Sequence, residues 1–206
     1  SLVLDAPLVL DQGSDLKMWK PENYGKKFYG PSTLRVGLEK SRNLMTVRIS
    51  QKLGIDKVVN FSKQLGVYDN PSELLSISLG SAETTLLKLT SAYCAFVNGG
   101  KLVKPVLIDR IQDSQGNTII NNQQRQCLDC NEISFTSDEY PEIENNFKKV
   151  FSTQTAYQVT SLLEGVILRG TGKKLKKLNL NLAGKTGTTN ENTDAWFIGY
   201  TSNFVV

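Results

Sequence analysis

Chemistry concentrates near one end of this chain, where Ala183-Gly184-Lys185-Thr186-Gly187-Thr188-Thr189 is followed by Asp194-Ala195-Trp196-Phe197-Ile198-Gly199-Tyr200. A Lys-Thr-Gly-Thr run entering a strand presents an ammonium, two hydroxyls and an unobstructed backbone amide along one edge. Those groups suit a carboxylate held beside a developing oxyanion. The sequence contains no histidine. That excludes Ser-His-Asp and Cys-His machinery and any His-ligated zinc, so acid and base work falls to lysine, carboxylate, tyrosine or hydroxyl groups.

Gly184-Lys185-Thr186 also ends a phosphate-binding loop, but that loop needs a glycine five residues before Gly184, where Asn179 stands, and a helix directly after the lysine. Here Asn190-Glu191-Asn192 reads as a turn, followed by an aromatic, alternating strand. A second polar cluster, Ser41-Arg42-Asn43, lies between two helical patterns. Upstream, Ser32 is placed to cap a short helix carrying Leu34, Val36 and Leu38. Downstream, Met45, Ile49 and Leu53 recur at helical spacing until Gly54. Ser41 and Asn43 therefore stand at a junction where polar groups can enter a cleft. The other reading of Ser41 is a plain helix cap.

Together Ser41-Arg42-Asn43 and Lys185-Thr186-Gly187 resemble the second and third signatures of the penicillin-interacting serine acyltransferases: transpeptidases, carboxypeptidases and serine β-lactamases. Further segments look like class A penicillin-binding proteins: Trp19-Lys20-Pro21-Glu22-Asn23-Tyr24, Tyr29-Gly30-Pro31-Ser32-Thr33-Leu34-Arg35, Leu79-Gly80-Ser81-Ala82-Glu83, Phe96-Val97-Asn98-Gly99-Gly100 and Arg169-Gly170-Thr171-Gly172. The resemblance implies an α/β (α+β) fold, a helical subdomain packed against an antiparallel sheet. Residues 1–206 would form a partial transpeptidase domain, incomplete at both ends, with a polar insert at about 121–150.

The family's nucleophile sits in a Gly-Ser-x-x-Lys stretch upstream of the Trp-Lys-Pro region, and no such stretch occurs here. Ser14-Asp15-Leu16-Lys17 fits the four-residue pattern, but Pro21 would interrupt the helix it needs. The nucleophile is therefore expected outside this chain, together with a membrane anchor and a glycan-polymerising domain, and the chain alone is expected to be inactive. The implied reaction is serine acyl transfer between peptidoglycan stem peptides on the periplasmic side of the bacterial inner membrane, blocked by β-lactams, with no metal or cofactor. By carry-over, Ser41 relays a proton, Asn43 holds the donor's amide carbonyl and Lys185 supplies the electrostatic field. Thr186 and Thr188 bind the donor carboxylate, the Thr188 amide forms half of the oxyanion hole, and Gly187 keeps the strand edge clear. A carboxypeptidase or β-lactamase would use the same signatures, and a non-catalytic cell-wall binding module remains a further alternative.

Composition fits one folded domain. The chain has 206 residues, 39% of them hydrophobic, and a formal charge of +4. No apolar run approaches the ~20 residues needed to span a bilayer. Lys173-Lys174-Leu175-Lys176-Lys177 reads as a solvated rim; without interleaved aromatics it does not suggest nucleic-acid binding. Helices are expected from Asp56 to Gly66 with Val58, Phe61 and Leu65 inward, near 84–97 with Leu86, Leu89, Tyr93 and Phe96, and from Ser152 or Thr153 with Val159, Leu162, Leu163 and Val166. Residues 106–111 read as a strand that turns at Asp113–Thr118 into Ile119-Ile120. For Cys127 and Cys130, a zinc clip needs ligands from another chain, a redox pair lacks its βαβ setting, and the oxidising periplasm that the resemblance implies favours a local disulfide. Cys94 reads as a buried free thiol.

Overall fold

The computed structural model describes residues 2–11, 18–122, 125–128, 130, 143–145, 147–189 and 194–206. Strand β1 (Leu2–Asp5) pairs antiparallel with β2 (Gly30–Thr33), Leu2 opposite Thr33 and Asp5 opposite Gly30. The excursion between them is closed where Leu10 and Trp19 exchange backbone hydrogen bonds of 2.9 and 2.8 Å. Ser14 and Lys17 lie outside the described residues.

β2 runs straight into α1 (Leu34–Glu39). Ser32 is not its cap, because it belongs to the strand. Thr33 is the last extended residue, and its Oγ1 accepts the Val36 N–H at 3.3 Å. After the Ser41 turn comes α2 (Asn43–Leu53), stopped by Gly54 at φ +93°. Its buried stripe is Leu44, Met45, Val47 and Ser50, whereas Leu53 is exposed. The stripe is rotated from the sequence expectation because α2 is covered on two sides, by β1 and by a 3-10 turn at Leu75–Leu79. In α3 (Ile55–Gln64) Gly54 takes the cap position, Asp56 lies in the first turn, and Val59 rather than Val58 or Phe61 is buried.

Thr85 caps α4 (Leu86–Val97), and Ser152 caps α5 (Thr153–Leu168). Between them β3 (Arg110–Gln112) and β4 (Thr118–Asn121) form the expected hairpin. The first strand is shorter than 106–111 because the Asn122 amide side chain takes the Ile108 carbonyl at 2.8 Å, ending the ladder. Within the polar insert, β5 (Arg125–Cys127) pairs with β6 (Ile143–Asn145), and Cys127 and Cys130 are joined by a disulfide. Cys94 is free and half-buried.

Strand β7 (Ala183–Thr188) pairs antiparallel with β8 (Ala195–Tyr200), and beyond a turn Val206 exchanges two 2.8 Å backbone bonds with Gly199 on the other edge of β8. One face of this sheet meets α5. Leu163 and Val166 of the helix pack on Ala183 and Tyr200, joined by Leu38 of α1 and by Tyr93, Phe96 and Val97 of α4. The Tyr93 and Tyr200 rings stand edge-on at 6.3 Å. Among the described residues no helix is long and apolar enough to cross a membrane.

Because α5 touches α1, α4 and β7 together, it fixes the end of α1 relative to the lysine strand. Leu163 is only 4% exposed at this junction. Leu163→Ala is expected to destabilise the folded protein by about 2–5 kcal/mol in urea titration. Leu107→Ala, at a side chain 96% exposed, should change stability by less than about 0.5 kcal/mol.

Candidate active site

Alternation along β7 puts Lys185 on the same face as the core residue Ala183, two positions nearer the strand's end. From there its Nζ donates to Ser41 Oγ at 2.7 Å and to the Thr186 carbonyl at 2.7 Å, joining residues 144 positions apart. Burial pushes the ammonium down from the usual lysine value to about 8. No carboxylate among the described residues forms an ion pair with it. The residues after Lys185 continue as strand rather than helix, so the phosphate-loop geometry is absent.

Ser41 adopts φ +53°, a conformation that side chains other than Asn, Asp and Gly rarely hold. Its N–H closes on Leu38 O at 3.1 Å, and Arg42 N–H on Gly37 O at 2.8 Å. Ser41 does not cap α2. The cap position belongs to Arg42 and carries no side-chain bond, while the Ser41 hydroxyl receives Lys185. Arg42 is anchored away from the pair, its guanidinium stacked 3.2 Å from the Tyr29 ring centroid and its Nε 3.9 Å from the fully buried Asp5. Asn43 opens α2 and donates through Nδ2 to Glu22 O at 2.8 Å. Asn23, buried beside it, gives Nδ2 to Asp5 Oδ1 at 2.7 Å and accepts Leu44 N–H at 3.4 Å. Residues 22–23 thus fasten the start of the helix that carries the Ser-x-Asn signature.

The remaining predicted residues follow along β7. Thr186 shares a hydroxyl hydrogen bond of 2.7 Å with Thr171. Gly187 and Thr188 are exposed, opposite Trp196 and Ala195 of β8. Ser41, Lys185 and Thr186 are therefore brought together by direct contacts, Asn43 stands two residues from Ser41, and Thr188 ends the same strand.

Sequence reasoning missed the clamp behind this group. Glu39, 4% exposed, receives the Arg169 guanidinium at 2.5 and 3.2 Å, with Arg35 at 3.6 Å. Its backbone carbonyl accepts Thr171 N–H at 3.1 Å, and Lys40 Nζ binds Arg169 O at 2.5 Å. Two glycines flanking Thr171 were the available signal. A Cβ on Gly170 would collide with the Glu39 carbonyl, and one on Gly172 would lie 2.8 Å from Ile167 Cδ1. A groove of 890 Å³ between α4 and residues 102–108, lined by Leu65, Leu87, Val103, Leu107 and Phe147 among others, includes none of these residues.

The two glycines of β7 differ. A Cβ on Gly184 would meet Phe197 Cζ at 2.7 Å and Ile198 O at 2.8 Å, whereas on Gly187 its nearest neighbour is Trp196 Cβ at 3.7 Å. Gly184→Ala should therefore cost about 1–3 kcal/mol by overpacking, measured by thermal unfolding. Gly187→Ala should leave the melting temperature nearly unchanged, so any loss of ligand binding there would report a clash with the ligand itself.

Three kinds of similarity converge on one family. A family model described as the penicillin binding protein transpeptidase domain matches residues 3–204. Penicillin-binding protein 1A of Rickettsia bellii is 44% identical over 98% of this chain, and that of Pseudomonas aeruginosa is 34% identical over all of it; the chain spans 26% and 29% of those proteins. The crystal structure of penicillin-binding protein 1A from Haemophilus influenzae superposes with a TM-score of 0.83 at 32% identity, covering 100% of this chain and 33% of that one. At the level of fold alone, PonA1 from Mycobacterium tuberculosis, solved in complex with penicillin V, gives a TM-score of 0.72 at 19% identity, covering 99% of this chain and 52% of that one. This chain belongs to the penicillin-binding protein transpeptidase family.

Proposed function

We propose that this chain is the donor-binding and proton-relaying part of a peptidoglycan D,D-transpeptidase, whose nucleophilic serine comes from sequence upstream of residue 1. The observation that carries this reading is the 2.7 Å contact between the buried Lys185 ammonium and the Ser41 hydroxyl. A hydroxyl that receives a hydrogen bond from a cation is a better proton donor, and it can pass its proton onward while drawing a replacement from a neighbour.

In this scheme the upstream serine gives its proton to the lysine of its own Gly-Ser-x-x-Lys stretch as it attacks the penultimate D-alanyl carbonyl, and the oxyanion rests partly on the Thr188 N–H. That lysine re-supplies Ser41 as Ser41 gives up its own proton. The C–N bond to the terminal D-alanine breaks as Ser41 delivers a proton to the leaving amine. An amine from a second stem peptide then attacks the acyl ester, forms the cross-link and frees the serine. Lys185, with the hydroxyls of Thr186 and Thr188, holds the donor's terminal carboxylate. The Asn43 amide has two N–H donors. Glu22 O takes one, which orients the other toward the donor's amide carbonyl. A β-lactam enters as a donor mimic, as the penicillin V complex of PonA1 illustrates for that protein. In this reading the whole enzyme works on the periplasmic side of the inner membrane, with its anchor outside this chain.

Lys185→Ala in the full-length protein should lower acylation by a fluorescent penicillin by about 10²–10³-fold, as for loss of a preorganised electrostatic group. The pH profile tests the role more sharply. The cation is the working form, so acylation should fall as pH rises through about 8, and Lys185→Arg should carry that limb to higher pH. A rate that climbs through the same range would assign the neutral amine as a base instead. Analysis of products from paired stem peptides separates cross-linking from hydrolytic trimming.

Residues 1–206 alone should give no labelled band with the same penicillin on a denaturing gel. A band abolished by Ser14→Ala would place the nucleophile within this chain and overturn the scheme.

A further inference from the structure

We infer that Thr171 is a positioning residue for the donor carboxylate, acting through the Thr186 hydroxyl; this rests on the transpeptidase reading above. The two Oγ1 atoms stand 2.7 Å apart. Each hydroxyl has one hydrogen, so one of the pair must donate to the other. Only the arrangement in which Thr171 donates leaves the Thr186 hydrogen for an incoming anion, so the anion selects it, and Thr171 then occupies one of the two Thr186 lone pairs. An isolated threonine hydroxyl would rotate freely and offer the anion oxygen as readily as hydrogen. The pairing therefore preorganises Thr186 as a donor beside the Lys185 ammonium, whose Nζ is bonded to the Thr186 carbonyl.

Thr171 is held for this task by its backbone rather than by its side chain. Its N–H is fixed on Glu39 O at 3.1 Å, two residues before Ser41, and the next N–H, of Gly172, on Val166 O at 3.0 Å. Gly170 permits the close approach, since a Cβ there would collide with the same Glu39 carbonyl. The relay hydroxyl and the orienting hydroxyl thus hang from one anchored point, the end of α1. Thr171 itself is exposed, so its side chain has little part in the core.

The test is acylation kinetics of the full-length protein with a penicillin and with its carboxylate methyl ester. Thr171→Val is expected to slow acylation by the free acid roughly tenfold, chiefly through weaker pre-covalent binding, while the ester changes by less than about twofold. Thr171→Ser, which keeps the hydroxyl, should restore the free-acid rate to within about twofold of wild type. Equal losses for acid and ester, or no loss for either, overturn the assignment. A merely structural role would move both substrates and the melting temperature together. Thr186→Val separates this inference from the reading beneath it. An acid-selective loss in Thr186→Val without one in Thr171→Val removes Thr171 alone, whereas no acid-selective loss in Thr186→Val, or none in Lys185→Ala, removes the carboxylate cradle itself.

Discussion

The site depends on a buried carboxylate that is not one of its reacting groups. Glu39 lies at the end of α1 and is met by Arg169 just past the end of α5, with 130 positions between them. A carboxylate so enclosed is tolerable only when fully compensated, and the two-bond guanidinium contact supplies that compensation. The space is made by Gly165, where a Cβ would overlap the carboxylate. The Glu39 backbone carbonyl carries Thr171, and two residues later the chain turns left-handed at Ser41. Register between the helical half and the β7–β8 sheet is thus set at one point, and packing of Leu163 and Val166 on Ala183 and Tyr200 holds the rest.

Against that anchored frame, Lys185 is the group left electrically incomplete. Its neighbours are a hydroxyl and a carbonyl, which hydrogen-bond the ammonium without cancelling its charge. Desolvation with no carboxylate partner among the described residues explains the fall to about 8. An arriving carboxylate would supply the missing charge and raise that value again, so anion binding and proton retention reinforce each other by linkage.

How much of this was legible in the sequence follows from the range of each interaction. Local signals placed α4 and α5 and their ends, because caps and apolar periodicity act within a few residues. They miss the cap by one position at Ser32, where Thr33 takes it, and by two at Asp56, where Gly54 does. The α2 stripe was misjudged because its burial comes from two sides, a tertiary fact that periodicity does not encode. Ser41 and Lys185 were singled out by motif resemblance, but nothing in their spacing requires contact. The Glu39–Arg169 clamp left only a trace, glycines around residues 165–172 with no visible reason to be there, since the reason is a side chain from the other end of the chain.

The turn at Ser41 shows what the site takes from the fold. A serine at a helix cap contributes about 1 kcal/mol, but here the cap position falls to Arg42, one residue past Ser41, and that bond is not made. The residue also holds φ +53°, which costs of order 1–3 kcal/mol for a non-glycine side chain. Both concessions have one geometric result: the hydroxyl leaves the helix axis and reaches the lysine across the interface. They are sustainable because the flanking residues are held independently, Glu39 by Arg169, Arg42 by Tyr29 and Asp5, and Asn43 by Glu22. Strain at one residue between fixed neighbours cannot relax by moving them, so the serine stays poised in an orientation that an isolated helix start would abandon.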